Sequence, residues 1–566
     1  MKAYVGPHKS LISGYGDSLS DALAQMSEGK TALRPRTWDD GAEYYAQCAD
    51  RRAKTATLSR LEAMGADALR DCMAGNKWEP EAGRKTGVIF STTKGNIAEA
   101  QAAAPEEGSR ILIYEMAQRI CAAAGLEGMD PIVICNACIS GVAATVAGSR
   151  LIRRGEYDDI FVVGLDEASR FVTSGFLGFR SVSAKPCAPY DARRDGLSLG
   201  EAAGCILLTN KKLADGATVV EGGSLSNDAN HISGPSRTGE PLAKAIGRAM
   251  GQSRRAVEEM AFVNAHGTGT VYNDEMEAKA LDAVGMGGKP LNSLKPYLGH
   301  TLGASGLIEL MVCDDELRRG EILPTLWFES LGVSKRLSVG AEKQRAEGSF
   351  CVKTASGFGG CNAAVVLSKA TEARDVDETT PDKMTLVRSV DIAGGKILVD
   401  GRDVLGDDVE RDFGTLVRDA YHALGDQNLK FFKMDDLCKM GYIGAEYLLR
   451  GIEACEAERR EMAILMANRS ASLDTDIVYI GQMEEGTASP AKFVYTLPNI
   501  VIGEICIRHK IQGENLFVVM PQRDDEKLRH MATRMLDLSR AKMVICGWCE
   551  KLADTYELHL ELQKPH

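Results

Sequence analysis

Four stretches of this chain combine reactive side chains with glycine and small polar residues. The first is Pro131-Ile-Val-Ile-Cys-Asn-Ala-Cys-Ile-Ser-Gly141. An apolar strand ends near Cys135, and a helix of small residues begins just after Cys138. That puts the Cys138 thiol on a strand-to-helix turn, at the positive end of the helix dipole. The dipole favours thiolate, the form a cysteine nucleophile needs. Free N–H groups at such a turn also suit a developing oxyanion. The competing reading is a small buried apolar residue. The second stretch is Val263-Asn-Ala-His-Gly-Thr-Gly-Thr270, followed by Asp274 and Glu277. A lone His at a strand end is more often structural than catalytic. The Gly and Thr residues beside His266 allow close backbone approach and supply hydroxyls, which favours a site. The third, Asn292 to Gly306, supplies Lys295 and His300, with Glu309 beyond. The fourth, Thr354-Ala-Ser-Gly-Phe-Gly-Gly-Cys-Asn362, is a glycine loop before an apolar strand. It reads as an ordinary turn or as a mobile gate with an exposed N–H at Phe358.

Short apolar runs bounded by glycine or turn residues must position these groups. Val88–Ser91, Ile132–Cys135, Ile160–Gly164 and Gly204–Leu208 read as strands covered on both faces. They alternate with helical patterns such as Ile139–Arg154, which predicts parallel or mixed sheets with helices outside. The chain has 566 residues, 44% hydrophobic and 26% charged, the balance of a globular α/β protein with several domain-sized units. A net charge of -12 argues against nucleic acid and anionic membrane as partners. The fifteen Cys lack a disulfide rhythm, and no signal-like or spanning apolar run is seen, so a cytoplasmic protein is expected.

Residues 370–383 are acidic, carry a Pro and lack large apolar side chains, and so read as linker. The unit beyond resembles part of the unit before. Ser59–Gly65 matches Asp435–Gly441, Val88–Ser91 matches Leu465–Asn468, and Asp159–Gly164 matches Lys542–Gly547. Two unrelated α/β pieces would be the alternative. A repeat implies that 388–566 reproduces residues 1 to about 170 and stops there. An ungapped alignment places Pro521 opposite Cys138, so the second unit lacks the nucleophile.

With Pro189-Tyr-Asp191 and Gly196–Gly204, the four stretches occur in the order found in one family. Residues 1–369 resemble the β-ketoacyl-(acyl carrier protein) synthases, condensing enzymes of the thiolase superfamily. The resemblance implies an α/β, thiolase-like, layered α-β-α-β-α fold of two similar halves, 1–210 and 211–369. To this it adds a linker, 370–387, and a third, incomplete thiolase-like half, 388–566. It further implies that Cys138 accepts the acyl chain and that His266 and His300 stabilise the enolate left when malonyl-carrier protein loses carbon dioxide. The Cys138 and Phe358 N–H groups would hold the tetrahedral oxyanion, and Phe358 would gate acyl entry. Lys295 and Glu309, with Asp274, would support the histidines and their loops. Thr268 and Thr270 would bind the phosphopantetheine arm, which arrives on the acyl carrier protein. No permanently bound cofactor or metal is implied. Two histidines, in place of a His/Asn pair, point to the decarboxylating elongation branch.

Departures from the family pattern fall at Ile139, Ala188, Leu197, Ser356 and Cys361. Ile139 is expected to crowd the acyl pocket. The C-terminal unit is expected to act as a chain-length-factor-like partner covering a dimer edge, or as a remnant that only packs. A homodimer, or a heterodimer with another ketosynthase-like chain, is expected. Arg51, Arg52, Lys54 and Arg60 form a basic cluster that suits carrier-protein docking, although such runs are usually solvated faces. Cys135/Cys138 and Cys546/Cys549 share a Cys-x-x-Cys spacing that metal or redox use also shows. Two other functions are weighed: a non-catalytic partner of another ketosynthase, and a thiolase-type enzyme using coenzyme A thioesters.

Overall fold

A computed structural model describes residues 1–49, 57–100, 110–214, 216–376, 381, 383–406 and 411–566. In the N-terminal half, strand β1 (Thr86–Ser91) runs parallel to β2 (Ile132–Ile134) and β3 (Asp159–Asp166), and β4 (Ala202–Thr209) is antiparallel to β3. Their β-branched, apolar residues are buried on both faces because helices cover both sides. These helices are α1 (Arg60–Gly75), α2 (Ile113–Ala123) and α3 (Ser140–Arg153), with α4 (Arg170–Gly178) beside the site. Helix α1 starts on a capping box between Ser59 and Glu62.

The second half repeats the plan. Its sheet runs β5 (Thr218–Asn227), β9 (Cys361–Lys369), β8 (Phe350–Gly357), β6 (Met260–Asn264) and β7 (Pro290–Asn292), with β6 parallel to both β7 and β8. Helices α5 (Glu240–Ser253) and α6 (Val271–Ala283) lie outside, and α7 (Ser305–Arg319) lies inside against α3. Every residue of α3 is buried, as a helix between two sheets requires. The layers therefore follow the thiolase-like α-β-α-β-α order.

The C-terminal unit holds β10 (Met384–Ala393), α8 (Asp436–Leu449), β11 (Ala463–Asn468), α9 (Leu473–Glu484), α10 (Pro490–Val494) and α11 (Ile500–His509). After these come β12 (Asn515–Val519), α12 (Asp525–Met535), β13 (Val544–Leu552) and β14 (Thr555–Pro565). Strand β11 is parallel to β12 and β13, and β14 is antiparallel to β13, the pairing of β1 to β4. Two sequence expectations need correction. The linker was expected to run to residue 387, but β10 starts at Met384 because it pairs with the last strand, Met384 opposite Pro565. The copy was expected to end near the equivalent of residue 170, but β14 stands where β4 stands. A strand beside β13 covers its otherwise open edge.

The C-terminal unit packs in cis on the nucleophile's half. Strand β12 is antiparallel to β2, with Val518 opposite Ile134 and Val519 opposite Val133. The two sheets become one, in the order β4-β3-β1-β2-β12-β11-β13-β14-β10. Among the described residues, two buried ion pairs cross the junction. Arg150 meets Glu514 at 2.7 Å, and Lys94 meets Asp476 at 2.6 Å.

Candidate active site

Two matching turns bring distant residues together. Strand β2 leads into a 3-10 turn, Ala137–Ile139, before α3, and a second 3-10 turn, Leu302–Ala304, precedes α7. Each bends through a non-glycine residue in the left-handed region, Ala137 at φ 48° and Leu302 at φ 53°. Such residues cost about 1 kcal/mol or more and persist only where the surroundings hold them. What holds them is the close crossing of α3 and α7. A Cβ on Gly141 would lie 2.6 Å from the Leu307 nitrogen, and one on Gly306 would lie 2.8 Å from the Val142 nitrogen. Small residues at this crossing let the Cys138 turn and the His300 turn meet.

Cys138, His266 and His300 line one cavity of about 260 Å³, together with Thr268, Thr270 and Phe358. The two imidazole rings are 5.2 Å apart and nearly perpendicular. The backbone N–H groups of Cys138 and Phe358 both bear on the Cys138 sulfur. Thr301 directs both its N–H and its hydroxyl to Ser305 Oγ. The Ser305 hydrogen is then left for His300 Nδ1 at 3.2 Å, which puts the imidazole proton on Nε2. His266 Nδ1 is buried with no hydrogen-bond partner among the described residues.

The charges around the cavity set its protonation. Glu309 bridges two buried lysines, Lys295 and Lys353, each at 2.5 Å. Burial, then the Lys295 charge, hold both imidazoles well below 6.5, so they are neutral near pH 7. Burial also lowers Lys295. Cys138 differs from the dipole-based expectation. Loss of solvent outweighs Lys295 and the two N–H groups and pushes the thiol up to about 12. Because the sulfur is buried deep in the cavity, the resting form is the thiol.

Carboxylates hold the loops. Glu277 accepts the N–H groups of His266 and Gly267 at 2.8 and 2.9 Å, and Asp274 accepts those of Thr268 and Gly269 at 3.0 and 3.2 Å. Burial raises Asp274 to about 6. Thr268 and Thr270 share a hydroxyl contact of 2.9 Å at the cavity. Asp166, at the end of β3, ties the Thr92 and Thr93 hydroxyls to the Gly303 N–H. The sequence reading missed Lys353 and Asp166. A lone charge inside or ending an apolar strand was the available signal, and without the fold it had no partner. Ile139 packs into the main core instead of lining the cavity, because the 3-10 turn aims it there.

The basic cluster also changes meaning. Arg60 is half-buried and forms a two-pronged ion pair with Glu201 at 2.8 and 2.6 Å, so much of its charge is already met within the chain. Arg51, Arg52 and Lys54 lie outside the described residues. The cysteines are all unpaired, and no cluster that could hold a metal occurs among the described residues. Cys546 and Cys549 lie three apart on β13 and so face opposite sides of the sheet.

The C-terminal unit reaches the site. Asn136, two residues before Cys138, accepts the Phe517 N–H at 2.7 Å and donates to the Asn515 carbonyl at 3.1 Å. Tyr479 and Phe493 pack with Phe171 and Phe176 of α4, and Phe176 stacks on Phe358 at 5.9 Å.

Residues 16–214 match the family described as Beta-ketoacyl synthase, N-terminal domain, and residues 217–329 match its C-terminal domain. The tetracenomycin polyketide synthase ketoacyl synthase alpha subunit of Streptomyces glaucescens is 29% identical over 401 residues, 62% of this chain and 93% of the relative. A 3-oxoacyl-[acyl-carrier-protein] synthase 2 of Rhizobium meliloti is 30% identical over 327 residues, 52% and 77% respectively. Among solved structures, a PfaC keto synthase–chain length factor aligns with all of this chain and 78% of its own, with a TM-score of 0.78 at 15% identity. The ketosynthase ApeO, in complex with its chain length factor ApeC, from Xenorhabdus doucetiae aligns with 65% of this chain and 98% of its own, at 0.58 and 23%. At these identities the structures bear on the fold, and they include a likeness for the C-terminal unit. The chain belongs to the β-ketoacyl synthase family of condensing enzymes.

Proposed function

We propose that this chain catalyses the decarboxylative condensation of an acyl thioester with malonyl-carrier protein in fatty-acid or polyketide synthesis. The observation that carries this is the meeting of one thiol, two neutral imidazoles and two N–H groups around one cavity. Cys138 attacks the carrier's acyl thioester. The acyl carbon–sulfur bond to the carrier breaks, and the thiol proton leaves with the carrier's sulfur. Malonyl-carrier protein then enters along Thr268 and Thr270. Its carboxylate departs as carbon dioxide, and the electron pair moves into an enolate whose oxygen accepts hydrogen bonds from His266 and His300. A neutral donor suits this step better than an imidazolium, which would hold its proton less tightly against the enolate.

The enolate carbon attacks the Cys138 thioester. The oxyanion forms against the Cys138 and Phe358 N–H groups. Collapse releases β-ketoacyl-carrier protein and the Cys138 thiolate, which takes up one proton. The thiol's high proton affinity favours that last step. Lys295 and Lys353, held in place by Glu309, help keep the histidines neutral. The C-terminal unit serves as a built-in chain-length-factor-like partner, with Tyr479 and Phe493 forming part of the apolar wall behind the site. The chain works in the cytoplasm, with phosphopantetheine supplied on the carrier protein.

Mass spectrometry after incubation with acyl- and malonyl-carrier protein tests the reading. An acyl adduct on Cys138, absent from Cys138→Ala, followed by a product two carbons longer, is expected. No adduct with any acyl-carrier protein sinks it. Adducts formed only from coenzyme A thioesters move the enzyme to the thiolase-type branch.

A further inference from the structure

Asn499 is the residue before α11 and occupies its N-cap position. Asparagine there usually turns back and accepts an N–H from its own first turn. Here it makes no such bond. The side chain points across the domain junction, and its Nδ2 donates to the Phe358 carbonyl at 2.9 Å. Asn499 is buried, at 2% exposure. Helix α11 therefore forgoes a cap, a loss of about 1 kcal/mol, and the amide is used on the loop that carries Phe358.

The same loop is pinned from its other side. Gly359 donates to the Ile232 carbonyl at 2.6 Å, and Asn227 donates to the Gly359 carbonyl at 2.9 Å. Backbones meet here too. A Cβ on Gly503 would lie 2.9 Å from the Gly359 oxygen. Phe358 itself stacks on Phe176 at 5.9 Å and meets the tilted ring of Phe179 at 5.6 Å, and its N–H bears on Cys138. A movement of the loop that withdraws the Phe358 peptide from the cavity must break the Asn499 bond, whereas rotation of the ring about its own side-chain torsions leaves it intact.

We infer that Asn499, a residue of the nucleophile-free unit, is a positioning residue for the active half: it latches the Phe358 peptide in the closed arrangement. This rests on the proposed role of Phe358 as gate and oxyanion donor. It adds that the C-terminal unit sets the gate's equilibrium in addition to walling the pocket. Losing one neutral hydrogen bond shifts a closed-to-open ratio by about fivefold.

Alkylation of Cys138 in the full-length protein tests the latch without requiring condensation. A bulky, neutral maleimide should reach Cys138 about fivefold faster in Asn499→Ala than in the parent protein, while iodoacetamide gains less. Asn499→Asp keeps the shape and removes the donor, and should behave alike if Asn499→Ala folds poorly. Phe358→Ala removes the ring. If Asn499 acts through that ring, adding Asn499→Ala to Phe358→Ala should change the maleimide rate by less than about twofold. Unchanged maleimide rates in both Asn499 variants, or full additivity in the double variant, overturn the latch. Condensation is measured in parallel. A fall in kcat with a near-constant KM for malonyl-carrier protein is expected. Absent condensation in the parent protein, alongside the alkylation pattern above, would reject the proposed function and leave the latch standing.

Discussion

The turn after β2 and the turn after β12 descend from matching strands and do opposite things. The first carries Cys138 into a helix buried along its whole length, because α3 lies between two sheets. The second runs Met520-Pro-Gln-Arg-Asp524 into α12, where only Leu528, Met531, Ala532 and Met535 are buried. Counted from the strand ends, the place of Cys138 falls to Arg523 and not, as the ungapped alignment expects, to Pro521, because the segments after the two strands differ by two residues; Arg523 is ion-paired with Asp525 and Glu557 at 2.9 and 2.8 Å. A thiol at that position would face water and have no second sheet, no imidazoles and no cavity around it. The difference teaches that the nucleophile's chemistry belongs to the layered pair of halves and not to the strand–turn–helix alone. What the C-terminal copy keeps is its edge: β12 still pairs with β2.

The most severe way to break the comparison is to remove the copy. A chain ending at residue 369 bares the Val133–Ile134 edge and leaves Lys94 and Arg150 without their buried carboxylates. It should lose activity and self-associate, as seen by sedimentation and turnover. A truncated core that remains active and assembles like the full chain would reduce the C-terminal unit to a remnant. Next, Cys138→Ala should lower condensation by at least about a thousandfold with the thermal midpoint nearly unchanged. Cys546→Ala, in the copy, should leave turnover intact. Third, Glu514→Ala strands the Arg150 guanidinium, whose side chain is 1% exposed. It should destabilise the protein by about 3–5 kcal/mol in urea unfolding. Replacing both partners by apolar residues should recover much of that.

The smallest effect is in the pH profile. His266 and His300 are held below 6.5 when folded. The unfolded chain therefore binds more protons in the window below 6.5. The stability contributed by keeping them neutral is full above 6.5 and is lost as pH falls beneath it, with a slope of at most about 1.4 kcal/mol per pH unit for each His. The double variant His266→Asn with His300→Asn should flatten that slope. Turnover should show no loss centred at 6.5 from imidazole protonation. A kcat that halves there would contradict the neutral, buried pair.

Much of the site was legible because its residues sit in local patterns that single segments reveal. Cys138 follows an apolar run and precedes small residues, and His266 and Phe358 lie in glycine-bearing loops. Lys353 and Asp166 were not legible. Each is one charge in or beside an apolar strand, and its meaning depends on Glu309 in one case and on Thr92, Thr93 and Gly303 in the other. The Arg60 ion pair was hidden for the converse reason: its guanidinium looks free in the sequence, while its partner Glu201 lies far away along the chain.

Local propensity and motif spacing act within short segments, so the elements, the strand-end placement of Cys138 and His266, the family and the lack of a cysteine at the second copy's matching turn were all readable from the chain alone. Only the tertiary structure decided that the thiol rests protonated, that the copy lies against its own chain through β2 and β12, and that Asn499 reaches Phe358. Each of these depends on burial or on a hydrogen bond between residues far apart along the chain, and such contacts exist only once the layers have closed.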